Sequence, residues 1–222
     1  MRTLILALLL CLSVSLAKSQ TCFVRVSTIK GDITLMLYDE TPKHRDNFIR
    51  GIKTGLFKDA EFNRVIKGFV SQGGELDQTI EDREKLHPEQ PVQRIGAEIK
   101  PNLFHKKGAL GQGRNDNPGK SSFIDQIYLV EGKIQTDAQL DQIEAKTGRK
   151  FSAAQRETYK TIGGLPRLDG DYTIFGEIVS GMDVAEAINS VPTQKTDLPV
   201  SPLKFSLKIL SKKEIAKLNH LK

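Results

Sequence analysis

The chain has 222 residues, 38% of them apolar and 27% charged, a balance that suits a folded domain and excludes a disordered tract. Its formal charge of +6 falls to +4 once Arg2 and Lys18 of an N-terminal leader are set aside, because the 33 basic residues become 31 against 27 acidic ones. The basic residues are dispersed, with no aromatic-rich basic stripe, so no nucleic-acid partner is expected.

Arg2 precedes TLILALLLCLSVSLA, an apolar run too short and too N-terminal for a membrane span, with small residues at its end. It reads as a secretory signal peptide over residues 1–19, with Ser15-Leu16-Ala17 or Ala17-Lys18-Ser19 as the cleavage site. The remaining chain is therefore expected outside the cytoplasm: periplasmic in a Gram-negative cell, otherwise in the secretory pathway or extracellular, with no stable membrane insertion. Cys11 lies in the leader, which leaves Cys22 without an intrachain disulfide partner. Cys22 reads as a partly buried, inert thiol at the start of the first strand.

FVRVSTIKGDITLMLY alternates on both sides of Lys30-Gly31-Asp32 and predicts a hairpin. Thr41-Pro42 predicts a helix start, with Thr41 as N-cap, Phe48, Ile49 and Ile52 as the apolar stripe, and Gly55 as the stop. FNRVIKGFVSQGG, residues 62–74, reads as two short strands joined at Gly68, with Phe62, Arg64 and Ile66 on one face. QTIEDREKLHPEQPVQ, residues 78–93, is polar and punctuated by proline, and predicts a loop. GALGQGR and SFIDQIYLV are further strand candidates.

Thr136 with Gln139 and Ser152 with Gln155 both match the capping-box pattern. They open two helices, with Leu140 and Ile143 apolar in the first and Tyr159 and Ile162 in the second, ended by Gly163-Gly164. This predicts a helical hairpin inserted over residues 133–164. YTIFGEIVS returns to strand, GMDVAEAINSV predicts a short helix burying Val184, Ala185 and Ile188, and PLKFSLKIL is a last strand. A solvated basic tail follows over 212–222. One domain over 20–211 with many short strands and two helical caps predicts a mostly antiparallel barrel or sandwich.

His44, His87, His105 and His220 are scattered and lack the spacing of metal ligands, so neither a metal nor a cofactor is expected. There is no Gly-x-Ser-x-Gly elbow for a serine hydrolase. GALGQG is glycine-rich, but no helix follows it, which argues against a dinucleotide site.

FNRVIKGFVSQGG closely resembles the cyclophilin family of peptidyl-prolyl cis-trans isomerases, whose usual pattern there is Phe-His-Arg-Val-Ile-x-Gly-Phe-Met-x-Gln-Gly-Gly-Asp. The resemblance continues in order through KGDITLMLYDETPKHRDNF, KKGALGQGR, a drifted SSFIDQIYLV and RLDGDYTIFGEIVSGMDVAEAI. It implies a mainly β fold: a closed eight-stranded antiparallel barrel capped by two helices, to which the helical hairpin is an addition of the kind some bacterial relatives carry. It also implies the activity, rotation about X-Pro bonds during the folding of exported proteins. A monomer is expected, acting without a cofactor on proline-containing peptides and unfolded proteins.

Carried over residue by residue, the resemblance implies Arg64 as the catalytic arginine and Gln72 as a hydrogen-bonding partner of the substrate backbone. Phe69 and Tyr128 would line the proline pocket, with Val70 in place of the family methionine and Gln126 beside it. Gly113 and Arg114 replace the usual Ala-Asn pair that meets the peptide, and Leu168 and Tyr172 complete the wall. Asn63 and Glu75 depart from the usual His and Asp. Ile124-Asp125 replaces Gly-Ser and is expected to set a bulky residue and a charge next to the pocket. That change favours an alternative reading, a non-catalytic module that binds proline-containing segments as a chaperone or assembly partner.

Overall fold

A computed structural model describes residues 22–90 and 92–219, so the leader with Cys11, and His220, lie outside the described residues. Strand β1 (Cys22–Thr28) turns through Ile29 and Lys30 into β2 (Gly31–Leu37), so the turn falls one residue earlier than Lys30-Gly31-Asp32. Period-two alternation sends Val24, Val26, Ile33, Leu35 and Leu37 into the core, each at most 1% exposed. Cys22 is half-buried, and burial pushes its thiol pKa up.

Helix α1 (Pro42–Thr54) starts and stops where its Thr-Pro and Gly55 predict, but Thr41 does not cap it. Among the described residues the Thr41 Oγ1 has no partner. The cap comes from far along the chain instead. Glu98 accepts the backbone N–H groups of Lys43 at 3.1 Å and His44 at 2.9 Å, and its carboxylate lies 2.7 Å from His44 Nδ1. A carboxylate satisfies two orphan donors and complements the positive end of the helix dipole, which a lone threonine hydroxyl cannot match. The helix buries Phe48, which meets Phe57 and Phe175 edge-on at 5.3 and 5.5 Å.

Strands β3 (Phe62–Val65) and β4 (Val70–Gly74) pair antiparallel, with a register shift between Phe62 and Arg64. Phe62 and Val65 both enter the barrel core, at 2% and 1% exposure. The expectation that Phe62 and Arg64 share a face is therefore corrected: the bulge puts the phenylalanine inside and the arginine outside.

A helix, α2 (Asp77–Leu86), stands where polarity and proline predict a loop. It shows no apolar stripe because Ile80 is its buried residue, and ion pairs hold it: Arg83 on Glu75 at 2.6 Å and Arg94 on Glu84 at 2.7 Å. Pro88 lies just beyond its end, consistent with a helix stop.

Strands β5 (Arg94–Ile95) and β7 (Ser122–Phe123) form a separate two-stranded sheet. SFIDQIYLV is thus split at Ile124-Asp125 between β7 and β8 (Gln126–Val130). With β6 (Ala109–Gln112), β9 (Ile174–Ser180) and β10 (Phe205–Ile209), the main sheet is antiparallel in the order β10-β1-β2-β9-β6-β8-β4-β3. Its edges meet through Phe62 N–H on Leu203 O at 2.9 Å, Phe205 N–H on Ala60 O at 3.0 Å, and a Glu61–Lys204 bridge. Closure therefore uses a few bonds rather than a full ladder. Helix α1 and α5 (Met182–Asn189) both bury residues in the enclosed core.

The insertion forms α3 (Asp137–Thr147) and α4 (Ala153–Thr161), each opened by its capping box. Leu140 and Tyr159 are fully buried, whereas Ile162, read as part of the stripe, follows the last turn and is exposed. A bridge from Gly164 to Lys133 closes the base of the hairpin, and one from Gly164 to Lys106 fastens it to the barrel. The tail forms a helix, α6 (Lys212–Asn219), on which Lys212, Lys213, Ala216 and Lys217 are exposed. No helix among the described residues is long and apolar enough to cross a membrane.

Glu98→Ala removes the cap and leaves two helix N–H donors and His44 without their acceptor. Urea denaturation is expected to show a loss of about 2 kcal/mol; an unchanged midpoint and slope would mean that α1 needs no such cap.

Candidate active site

Arg64, Gln72, Tyr128 and Gly111 are successive cross-strand partners on β3, β4, β8 and β6. Directly paired residues project to the same face, so the row presents an arginine, a glutamine and a tyrosine side by side on the outside of the barrel. Gly111, which pairs onward with Ile174 of β9, leaves a gap in the row for a steric reason. A Cβ there would lie 2.1 Å from Tyr128 Cζ, so the phenol ring occupies the space a side chain would need.

A cavity of about 80 Å³ opens over this row. Its walls contain all ten residues singled out in the sequence: Arg64, Phe69, Val70, Gln72, Gly113, Arg114, Gln126, Tyr128, Leu168 and Tyr172. Its base is a second apolar cluster, separate from the barrel interior, in which Val70, Ala109, Tyr128, Val130, Leu165 and Ile174 are buried. Phe69 is presented by the tight turn at Gly68, φ +70°. Asn189 of α5 braces that turn by accepting Gly68 N–H at 2.8 Å and donating to Ile66 O at 3.2 Å. The Arg167 guanidinium lies over the Phe69 ring at 4.5 Å.

Arg64 is partly exposed, with its Nε 3.8 Å from the Asp197 carboxylate, a loose ion pair. Arg114 is held more firmly. It donates to Asp171 O at 2.6 Å and Asn115 O at 2.7 Å while covering the Tyr172 ring at 4.7 Å. Of the two cations, Arg64 is the less committed, with the Asp197 carboxylate as its charged partner among the described residues.

Asp77, the first residue of α2, also lines the cavity, and reading the segment as a loop missed it. Its Oδ1 accepts Gln72 Nε2 at 3.4 Å and also accepts Gln126 Nε2, which donates to Glu75 O at 2.9 Å as well. Gln126 Nε2 is committed to two acceptors, so that glutamine presents its carbonyl oxygen, while the single long contact of Gln72 Nε2 orients it the same way and leaves one N–H over. Gly113 makes room for this arrangement, since a Cβ there would lie 1.7 Å from Gln126 Oε1. A sequence signal for Asp77 did exist: an acidic residue three positions after Gly74, just ahead of a segment of good helix formers.

Ile124 and Asp125 adjoin the pocket residue Gln126 but do not themselves line the cavity. Ile124 O accepts Asn47 Nδ2 at 2.7 Å, and Asp125 stands behind Gln126 beside Glu75 and Arg83. Burial, then the Glu75 carboxyl, raises the Asp125 pKa to about 6, while the Arg83 guanidinium holds Glu75 low. His44 and His105, isolated in the sequence, are both fully buried in hydrogen-bonded networks.

The outer face of an antiparallel barrel thus combines a loosely paired cation, amide acceptors and a small apolar pocket in one groove. Residues 23–208 match the family described as cyclophilin type peptidyl-prolyl cis-trans isomerase/CLD. A relative from Staphylococcus saprophyticus bears a provisional peptidyl-prolyl cis-trans isomerase name; it is 30% identical over 174 residues, covering 78% of this chain and 83% of its own. The peptidyl-prolyl cis-trans isomerase-like 2 protein of Rhizopus delemar is 29% identical over 185 residues, 82% of this chain and 28% of its own. The crystal structure of a Cryptosporidium parvum cyclophilin type isomerase superposes with a TM-score of 0.62 at 21% identity, covering 87% of this chain and 99% of that one. The chain belongs to the cyclophilin-type peptidyl-prolyl cis-trans isomerase family, and its activity is that of a prolyl isomerase.

The Asp125 carboxyl yields a pH prediction. Folding raises its pKa from 3.8 to about 6, so the folded state favours the protonated form. The associated stability is fully present below the unfolded pKa and is lost as pH rises through about 6. Asp125→Asn is therefore expected to melt with wild type near pH ~4 and above it at pH ~7. Parallel melting curves across that range would show that Asp125 titrates normally.

Proposed function

We propose that this isomerase acts on X-Pro bonds of exported proteins, with Arg64 as the catalytic group. The barrier to rotation, about 18–20 kcal/mol, comes from loss of amide resonance. In the twisted state the prolyl nitrogen becomes pyramidal and regains a lone pair. A guanidinium aimed at that nitrogen gains a hydrogen bond that the planar ground state cannot accept. Catalysis then rests on differential binding of the transition state and needs no cofactor.

The observation that carries this reading is the cross-strand row, which sets Arg64 next to Gln72 and Tyr128 on the floor of one cavity. In this assignment Phe69, Val70, Tyr128 and Leu168 receive the proline ring. Gln72 and Gln126, oriented by Asp77, accept N–H groups of the substrate backbone. A Cryptosporidium parvum family member was crystallised in the presence of the dipeptide Ala-Pro, in keeping with a proline-containing ligand. The reading as a non-catalytic module rests on Ile124 and Asp125, which adjoin Gln126 without lining the cavity, whereas Arg64, Phe69 and Gln72 all line it.

A charge-assisted hydrogen bond contributes about 1.5–3 kcal/mol, and each ~1.36 kcal/mol is tenfold in rate. Arg64→Ala is thus expected to lower kcat/KM on an Ala-Pro peptide by roughly ten- to a hundredfold or more, with an unchanged circular dichroism spectrum. Near-wild-type turnover by the variant would remove Arg64 from the mechanism.

The export assignment rests on the leader, whose charged start, apolar run and small-residue end suit signal cleavage. Residues 1–19 fused to a reporter are expected to direct it out of the cytoplasm, with a new N-terminus near residue 18 or 20. A reporter retained in the cytoplasm at full length would refute export.

A further inference from the structure

The inserted hairpin reaches the proline pocket through a buried chain of hydrogen bonds. Tyr159 of α4 donates its hydroxyl to Asp169 Oδ2 at 2.6 Å. Asp169 Oδ1 accepts two donors from one residue, His105 N–H at 2.8 Å and Nδ1 at 2.7 Å. His105 Nε2 lies 2.9 Å from the hydroxyl of Tyr128, which lines the pocket. Tyr159 and His105 are 0% exposed, Tyr128 4% and Asp169 9%, so water does not compete for these protons.

The order of donors follows from the chemistry of each group. Burial pushes the hydroxyls of Tyr159 and Tyr128 well above the ordinary tyrosine range, which keeps both as O–H donors. Tyr159 is spent on one oxygen of Asp169, and the other oxygen takes the Nδ1–H of His105. The tautomer this assigns carries its lone pair on Nε2, and Tyr128 donates into it. The phenol hydroxyl is thereby turned away from the cavity, leaving its ring as a purely apolar surface.

We propose that Tyr159 is a positioning residue for the proline pocket, acting through Asp169 and His105 on the hydroxyl of Tyr128. The proposal rests on the reading of the cavity as the prolyl site. Two further contacts show why the hydroxyl matters to the ring. Tyr172 meets Tyr128 edge-on at 6.1 Å and His105 at 6.3 Å, so all three rings share one packing unit. Gly111 offers Tyr128 a flat seat but no side chain to stop it tilting, so the bond at the far end sets the angle. Tyr159 itself is clamped by Phe104 and Phe151 at 5.4 and 5.7 Å, and loss of its hydroxyl alone leaves that packing intact.

The test is a double-mutant cycle of Tyr159→Phe and Tyr128→Phe, read as kcat and KM on an X-Pro peptide. Each single variant is expected to lower kcat/KM by roughly three- to tenfold, chiefly through KM. The double variant is expected to be no worse than Tyr128→Phe, because the chain then has no hydroxyl to hold. Multiplicative losses, or a fall in kcat at constant KM, would mean that Tyr159 acts only on stability and would overturn the proposal. An inactive wild type would refute the isomerase reading by itself, and NMR then decides the relay. Movement of the His105 and Tyr128 ring resonances in Tyr159→Phe, with core amides unmoved, supports it, and unmoved ring resonances overturn it. Should Tyr159→Phe not fold, the same chain is read from its other end, with the Tyr159 ring resonance expected to move in Tyr128→Phe and its constancy counting against the relay.

Discussion

Phe62 and Val65 both belong in the barrel core, and a regular strand cannot deliver both, because residues three apart face opposite sides. The register shift between Phe62 and Arg64 resolves the conflict. One extra residue lets both apolar side chains turn inward and leaves Arg64 directed outward. Everything at the site depends on that geometric concession. From Arg64 the pairing runs across Gln72 and Tyr128 to Gly111, and the row becomes the floor of the cavity. The arginine is thus kept out of the core by the same packing that stabilises the barrel.

Around this floor the polar groups divide into those already committed and those left available. Arg114 is tied to two carbonyls and serves as a wall over Tyr172. Asp77 occupies the amide nitrogens of Gln72 and Gln126, so each glutamine has an oxygen to offer. Glu75, Asp125 and Arg83 form a charged cluster behind Gln126, where burial rather than contact with ligand sets the acidity of Asp125. Such prior commitment removes the entropy that a mobile site would lose on binding.

The helical hairpin is joined to this arrangement more closely than a surface addition needs to be. Its backbone is bridged at Gly164, and its buried Tyr159 shares an acidic partner with His105. A histidine between a carboxylate and a phenol has its donor and acceptor assigned by its neighbours. An element far along the chain thereby bears on the angle of an aromatic ring in the pocket.

The resemblance to the cyclophilin family, carried by residues 62–74 together with KKGALGQGR, SSFIDQIYLV and the later Leu-Asp-Gly and Phe-Gly segments, implied the antiparallel barrel and the ten residues found around the cavity, because such motifs are written position by position. The two capping boxes were readable for the same reason, since their hydrogen bonds close within three residues. What escaped were interactions between distant positions. Polar α2 gave no apolar stripe because ion pairs anchor it, and Asp77 went unseen with it. The cap of α1 comes from Glu98, 54 positions after His44, and displaces the threonine that local rules favour. The bulge at Phe62 follows from which residues the core must hold rather than from the strand's own pattern. Taken alone, the sequence determined strand periodicity, turn positions and the side chains available to the site. Only the tertiary structure decided which of them face one another, because cross-strand register and long-range hydrogen bonds exist only once distant segments have packed.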